Sequence, residues 1–409
     1  MAAQPTRMQV LSAGICSLIL AMGVARFAYT PLLPLMRAQA GLGVVGAGWL
    51  ATINYTGYLL GAMLSALITD IVLKDRLYRL GMLVTVLSTA LMAVSTDFSV
   101  WAASRFIAGV STAAGMLLGS GLTFNWLVRN GHRPELGIHF SGVGIGIVLC
   151  ALAVQAMSGW LDWRAQWLVF AALGALLLIP VLGWLPRPSH APSHASAAPL
   201  QDRPLSPPFF ATLLVAYFLA GVGFVVSATF IVAIVNTLPG LEGHGTMIFL
   251  WIGLAAAPSC ILWDLAARRW GVITALAAAS ALQVLGILLP VWPGGLACAI
   301  LGGILFGGTF SGIVSLVLTM AGRYYPSRPA AMMGRMTIAF GIAQMLAPAG
   351  TAWIAAHSGS YATGLYVAAA SMVACTLLLM RLRRMEPVAG ETSSAVFRTT
   401  VQSPGSLKP

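Results

Sequence analysis

Long apolar runs, separated by short polar breaks, occupy most of the sequence and constrain its fold more than any other feature. A membrane-spanning helix needs about 20 consecutive apolar residues, and runs of that length recur from Met8 to Leu382. Hydrophobic residues supply 59% of the 409 positions and charged residues only 8%, against about 45–50% and about 25% in soluble domains. The sequence therefore predicts an integral membrane protein with the lipid bilayer as its solvent.

Reading each apolar window to the nearest charge, proline or glycine cluster predicts twelve transmembrane helices. The fold class we expect is all-α, with two pseudo-symmetric six-helix bundles. The pair Arg133-Pro134 recurs 195 residues later as Arg328-Pro329, which favours an internal duplication. The first bundle covers 1–185, with helices near 8–33, 45–69, 77–95, 99–127, 136–157 and 165–185. The second covers 209–385, with helices near 209–238, 246–263, 272–289, 296–320, 330–354 and 361–382.

Two segments outside the bundles are too polar to bury a core. Residues 186–208 are rich in proline, serine and histidine, and we expect a cytoplasmic linker there. Residues 386–409 are expected to be a disordered cytoplasmic tail. His190 and His194 of the linker have the side chains to bind metal, but a solvated loop is the favoured interpretation of them. The five cysteines lie in apolar runs without metal-ligand spacing, so we expect no metal site and no cofactor.

The basic residues predict an orientation. With both termini in the cytoplasm, the cytoplasmic loops and ends hold eighteen Lys and Arg residues, while only Arg37 and Arg164 lie outside. This asymmetry follows the positive-inside rule and favours a multi-pass protein of the cell inner membrane. The net charge of +12 is scattered between apolar runs rather than gathered on one surface, so we expect no nucleic-acid partner.

Two local patterns resemble motifs of the major facilitator superfamily. The segment SRFIAGVSTAAG, which carries Arg105 and Gly109, resembles the superfamily's intramembrane arginine motif. The six-plus-six arrangement and the basic clusters after the second and eighth helices extend this resemblance over nearly the whole chain. It implies that charged residues at the cytoplasmic loops act in gating. The corresponding residues here are Asp75, Arg76 and Arg79, which are more widely spaced than in the family pattern, and Asp264, Arg268 and Arg269.

Three further segments resemble the YbfB/YjiJ family of bacterial inner-membrane transporters. They are GVARFAYTPLLPLM in the first helix, NYTGYLLGA in the second and DWRAQW after the fifth. This resemblance implies the location and the fold, and it leaves the substrate open.

Two arginines fall inside predicted helices. A guanidinium near mid-membrane is costly unless it faces water, a partner or a ligand, so Arg26 is the first candidate for solute binding. Snorkelling of Arg26 towards an interface is the alternative. Arg105 either approaches the same solute or pairs with Asp97 near the membrane surface. The superfamily resemblance implies that helices one, four, seven and ten line a central cavity, which would bring the two arginines together.

Aromatic, hydroxyl and amide side chains complete the predicted substrate-binding site. Each is weak support alone, because aromatic residues near helix ends usually act as interfacial anchors. The residues are Tyr29, Thr30, Asn54, Tyr55, Tyr58, Asn125, Phe224, Thr229 and Gln344.

All ten carboxylates lie in loops, at helix ends or in the tail. This favours an anionic or zwitterionic solute held by arginine. Proton coupling could use His139 or Glu135, although a lone histidine there is also consistent with a satisfied interface residue.

The sequence therefore predicts a secondary active transporter that moves a small organic solute by alternating access. No phosphate-binding GxxxxGK[ST] loop occurs, which disfavours an ATP-driven pump or an enzyme. Broad-specificity efflux of amphipathic compounds is the alternative, and a membrane-embedded sensor or scaffold is a third hypothesis. The expected partners are a small-molecule substrate, the bilayer and a coupling proton or counter-ion, and we expect a monomer.

Overall fold

The computed structural model describes residues 5–132, 136–188, 205–324 and 329–385. Within those ranges the chain forms long helices joined by short loops, and no strand occurs there. Twelve helices, numbered here in chain order, make two sets of six. The first set is α1 (Arg7–Ala40), α2 (Val44–Leu67), α3 (Ile71–Leu91), α4 (Phe98–Arg129), α5 (Leu136–Met157) and α6 (Trp163–Gly183). The second is α7 (Pro207–Asn236), α8 (Gly245–Trp270), α9 (Val272–Val291), α10 (Gly295–Tyr324), α11 (Pro329–Ser358) and α12 (Ala362–Met385).

In the part of the chain that the structure describes, 11 helices are long and apolar enough to cross a membrane. The twelfth, α3, carries Lys74, Asp75, Arg76 and Arg79 in its first turns. It begins at Ile71 rather than near 77 as predicted, because Asp70 caps it: the Asp70 carboxylate accepts the Leu73 N–H at 2.7 Å. These charged residues therefore lie on a helix and not in a loop.

The alternation of helix direction defines two sides of the bundle. The side that holds Arg7 and Met385, where both ends of the described chain lie, is called the terminal side here, and the other is the opposite side. Most of the predicted linker and all of the predicted tail fall on 189–204 and 386–409, outside the described residues.

Two helices contain stretches of wide, π-helical turns. In α1 the stretch is Ile19–Phe27 and in α4 it is Ala114–Gly119. Such turns are rare and occur frequently at functional sites. The stretch in α1 contains Arg26, and α1 then continues past Pro34 to Ala40, beyond the end predicted near 33.

The two halves meet through helix pairs α1 and α7, α2 and α11, and α5 and α8. Glycines allow close approach of the backbones at these crossings. A side chain at Gly144 of α5 would meet the backbone of Ala257 in α8, and one at Gly48 of α2 would meet Ala352 in α11. The helices of opposite halves are therefore packed directly against one another at these crossings.

Candidate functional site

The guanidinium of Arg26 is buried between two tyrosine rings. Arg26 is 4% exposed, and its Cζ lies 4.4 Å from the ring centre of Tyr55 and 4.8 Å from that of Tyr58, both on α2. Contacts of this kind stabilise a cation by about 0.5–2 kcal/mol each. The aromatic faces hold the guanidinium in place while leaving its N–H edge free.

The hydrogen bonds of Arg26 are far fewer than its five N–H donors. Its Nη1 lies 3.9 Å from the Sδ of Met22, a weak acceptor, while its buried Nε and Nη2 have no partner. No carboxylate among the described residues forms an ion pair with it. The Nε and Nη2 atoms form the edge of a guanidinium that binds a carboxylate in two parallel hydrogen bonds.

Arg105 of α4 supports the chain beside Arg26. It is 3% exposed, and its Nη1 donates to the carbonyl oxygen of Ala25 at 2.9 Å. Its Cζ lies 4.7 Å from the ring centre of Tyr29, and the amide of Asn54 donates to the carbonyl of Arg105 at 2.8 Å. Arg105 therefore joins α1, α2 and α4 at the residue preceding Arg26.

The alternative pairing of Arg105 with Asp97 does not occur. Asp97 is exposed and caps α4, because its carboxylate accepts the N–H of Ser99 at 2.6 Å. That hydrogen bond holds the pKa of Asp97 below its usual range. The buried arginine and the capping carboxylate thus have separate roles.

Three predicted residues lie where the halves meet, on the opposite-side flank of Arg26. The hydroxyl of Thr30 donates to the carbonyl of Ala228 in α7 at 2.8 Å. The hydroxyls of Tyr55 and Thr229 are 3.3 Å apart. Tyr55 therefore contacts Arg26 with its ring and the second half with its hydroxyl.

The sequence did not indicate the role of Thr52, which also connects the halves. Its hydroxyl donates to the carbonyl of Met345 in α11 at 2.9 Å and accepts the N–H of Ala349 at 3.2 Å. A threonine in an apolar helix usually bonds to its own backbone, so no sequence signal marked it.

Four phenylalanines of the second half form an aromatic platform, defined as Phe224, Phe306, Phe310 and Phe340. The ring centre of Phe224 lies 5.1 Å from that of Phe310, 5.8 Å from Phe340 and 6.2 Å from Phe306. Only Phe224 was predicted as a site residue. The others lie in apolar runs where aromatic packing residues look the same.

The remaining predicted binding residues lie at different depths. Gln344 of α11 is 3% exposed, lies one turn after Phe340, and its amide makes no hydrogen bond with any described residue. Asn125 lies in the last turns of α4, about 30 Å along the helix from Arg105 at 1.5 Å per residue. The structure brings Gln344 towards the platform and does not bring Asn125 towards Arg26.

The coupling candidates lie near the start of α5. His139 is fully buried, its Nε2 lies 2.7 Å from the hydroxyl of Ser120, and its Nδ1 has no partner. Glu135 lies outside the described residues. His139 is on the terminal side, apart from Arg26.

The predicted gating residues differ between the halves. Asp75 pairs with Arg79 at 2.9 Å, and Arg79 also donates to the carbonyls of Leu182 and Leu185 at the end of α6. Both acceptors belong to the same half as Arg79. Arg76 is exposed.

In the second half, Asp264 pairs with Arg268 at 2.6 Å on an exposed face of α8, and Arg269 is exposed nearby. Contacts of these residues with the other half are not seen in the described part of the chain. Their gating role stays a prediction.

Comparison with known proteins finds one matching family and one similar curated protein. The profile of the family described as "Uncharacterised MFS-type transporter YbfB" matches residues 18–380. A Bacillus subtilis (strain 168) protein described as "Uncharacterized MFS-type transporter YceJ" is 27% identical over 225 residues, which are 53% of this chain. That match spans 55%, or about half, of the length of the relative.

Solved structures with the same fold cover nearly the whole chain. The nucleoside transporter NupG matches with a TM-score of 0.69 and 15% identity, over 92% of this chain and 98% of that one. A point mutant of NupG matches with a TM-score of 0.70 and 14% identity, over 91% and 99%. The human organic anion transporter MFSD10 (TETRAN) matches with a TM-score of 0.62 and 19% identity, over 92% and 100%. At these identities the similarity establishes the fold.

Proposed function

The chain belongs to the YbfB-type family of major facilitator transporters, and from that premise we propose that it carries a small organic anion or zwitterion, with Arg26 as the anion-binding residue. Membership of this family makes it a multi-pass membrane transporter and not an enzyme. The charge of the solute and the role of each side chain belong to the proposal.

The observation that carries the proposal is the unpartnered Nε and Nη2 edge of Arg26. A buried charge without a partner is unfavourable by several kcal/mol, and the tyrosine contacts offset only part of that. A carboxylate of the solute would restore the balance through two charge-assisted hydrogen bonds. A cationic solute would instead meet Arg26 and Arg105 without a nearby acid.

Alternating access fits the contacts between the halves. The hydroxyl contacts of Thr30, Thr52 and Tyr55 with α7 and α11 all lie on the opposite-side flank of Arg26. Access to Arg26 from that side requires them to break, whereas access from the terminal side does not. We propose that the two six-helix bundles rock about this region and that residues 186–208 link them.

The proposed location and orientation of the protein rest on the distribution of its basic residues. We propose that it lies in a bacterial inner membrane with both termini in the cytoplasm, supported by the excess of basic residues on the terminal side. It would act as a monomer, and a proton taken up at His139 or Glu135 would couple transport to a gradient. Asp75, Arg76, Arg79, Asp264, Arg268 and Arg269 would act at the cytoplasmic gate.

Efflux of amphipathic compounds is a second candidate. The aromatic platform favours it, since stacked phenylalanines bind apolar compounds without regard to charge. Efflux of this kind would not depend on Arg26.

Ligand-induced thermal stabilisation separates the two. Purified protein would be heated with organic acids, amino acids, sugars, nucleosides or cationic drugs, because a ligand that binds only the native state raises its apparent stability. We expect stabilisation by acids that is lost in Arg26→Ala and weakened in Arg26→Lys, which keeps the charge without the planar fork. Arg383→Ala, at an exposed position in the last turn of α12, is the control. Stabilisation only by neutral or cationic compounds, unchanged in Arg26→Ala, would favour efflux and reject the anion proposal.

A further inference from the structure

One face of α7 carries the aromatic platform towards the first half. Tyr217, Gly221, Phe224 and Ala228 follow one another at intervals of three and four residues, so they share a helix face. The carbonyl of Ala228 on that helix accepts the hydroxyl of Thr30 from α1. The face that bears Phe224 is therefore aligned with the contact between the halves.

The platform begins next to the tyrosines that hold Arg26. The side chain of Leu59 in α2 occupies the space that a side chain at Gly341 of α11 would need. Tyr58 precedes Leu59 and Phe340 precedes Gly341, so Tyr58 and Phe340 lie at the same crossing of α2 and α11. Tyr217 stacks on Phe340 with ring centres 4.7 Å apart. A cationic end and an aromatic end thus adjoin across the two halves.

The cationic end and the aromatic end would bind different parts of one solute. At the cationic end, the Nε and Nη2 of Arg26 are buried without a partner. At the aromatic end, the rings of Phe224, Phe310 and Phe340 are tilted or stacked in the offset arrangements that also accept another ring. A small aliphatic acid would use only the first end, and an uncharged ring compound only the second.

We propose that the solute is an aromatic carboxylate, with its carboxylate on the Nε and Nη2 edge of Arg26 and its ring on the aromatic platform. This rests on the anion transport proposed above and names the class of the anion.

The simpler interpretation is that the platform only packs the second half, and variants of the platform distinguish the two. Phe224→Leu and Phe340→Leu shorten the platform, and Phe224→Tyr keeps the ring if the leucine variant does not fold. Phe230→Leu is the matched control, because Phe230 lies on the same helix and is fully buried but its ring faces Tyr361 instead.

The test measures binding of three probes to the purified full chain by calorimetry. They are 3-phenylpropionate, hexanoate and the uncharged 3-phenylpropionamide. We expect 3-phenylpropionate to bind about tenfold more tightly than hexanoate, the ratio that ring stacking of about 1.4 kcal/mol gives. Phe224→Leu and Phe340→Leu should abolish this preference by weakening the binding of 3-phenylpropionate more than that of hexanoate, and Phe230→Leu should preserve it.

The possible failures are distinct. Equal affinities for the two acids, both lost in Arg26→Ala, would overturn the aromatic class and leave the anion proposal intact. A preference that survives Phe224→Leu and Phe340→Leu would also overturn it. No binding of either acid would overturn the aromatic class, and equal binding of the acid and its amide would overturn the anion proposal itself.

Discussion

The hydroxyl of Thr52 lies between the carbonyl of Met345 and the N–H of Ala349, donating to the first at 2.9 Å and accepting from the second at 3.2 Å. Thr52 is on α2, and its two partners are on α11. Ala349 directly follows Pro348, which lies inside α11. A side chain of one half thus bonds directly to the backbone of a helix in the other. The alternating access proposed above would require this contact to form and break once per cycle.

We expect Thr52→Val to favour opening on the opposite side. The change keeps the shape of the side chain and removes two hydrogen bonds, each of which contributes about 0.5–1.5 kcal/mol. Spin labels at Val45 and His357, exposed near the opposite-side ends of α2 and α11, would report a longer distance in a background without native cysteines. Thr52→Ser keeps the hydroxyl and should match the wild type. An unchanged distance distribution in Thr52→Val would show that the contact does not hold the halves together.

We expect Gly144→Ala to disturb the crossing of α5 and α8 and so to lower both transport and stability. A methyl group there would meet the backbone of Ala257, which cannot move aside as a flexible side chain can. Overpacking of this kind is unfavourable by about 1–3 kcal/mol, so transport and the melting temperature should both fall. Gly121→Ala is the control, since Gly121 has open space around it. Equal behaviour of the two variants would contradict the close approach of α5 and α8.

Two ion pairs with the same spacing should differ in their effect on stability. Arg79 is partly buried, pairs with Asp75, and bonds to carbonyls at the end of α6. Arg268 pairs with Asp264 on an exposed surface, where ion pairs contribute about 0–1 kcal/mol. Arg79→Ala should therefore lower the melting temperature by several degrees, and Arg268→Ala by little. Thermal unfolding of both variants in one detergent makes the comparison, and equal losses would refute it.

We expect the protonation of Asp97 to lower the stability of the folded protein in acid. The N–H of Ser99 holds the pKa of Asp97 below its unfolded value of about 3.9, so its ionised form stabilises the folded state. This contribution is complete above the unfolded pKa and is lost as the pH falls through the folded pKa. Asn caps helices without titrating, so Asp97→Asn should lose less stability than the wild type as the pH falls below the unfolded pKa of Asp97. Parallel melting curves for the two proteins would contradict this assignment.

The apolar windows predicted twelve helices because lipid-facing helices must be long and uncharged. The windows placed the start of α3 too late, because they excluded the charged residues before 77. Asp75 and Arg79 form an ion pair on this helix, so their charges do not prevent it from beginning earlier. The windows also ended α1 too early, since Pro34 lies inside a helix that continues to Ala40. Spacing alone does not reveal such compensation.

The candidate site was predictable only in part. Arg26 stood out because an arginine in an apolar run is rare. The contact of Arg105 with the carbonyl of Ala25 depends on the packing of α1 against α4, which one sequence does not specify. The aromatic platform and the role of Thr52 depend on which faces of α2, α7, α10 and α11 meet, so they emerged only from the fold.

The role proposed for Arg26 is to bind the anion that the protein carries. The most direct measurement is counterflow in proteoliposomes, in which labelled acid enters vesicles loaded with the same unlabelled acid, chosen as the strongest stabilising ligand. We expect exchange by the wild type, a rate at least tenfold lower in Arg26→Ala, and wild-type exchange in Arg383→Ala, which changes an exposed residue in the last turn of α12. Exchange by Arg26→Ala at the wild-type rate would contradict the account.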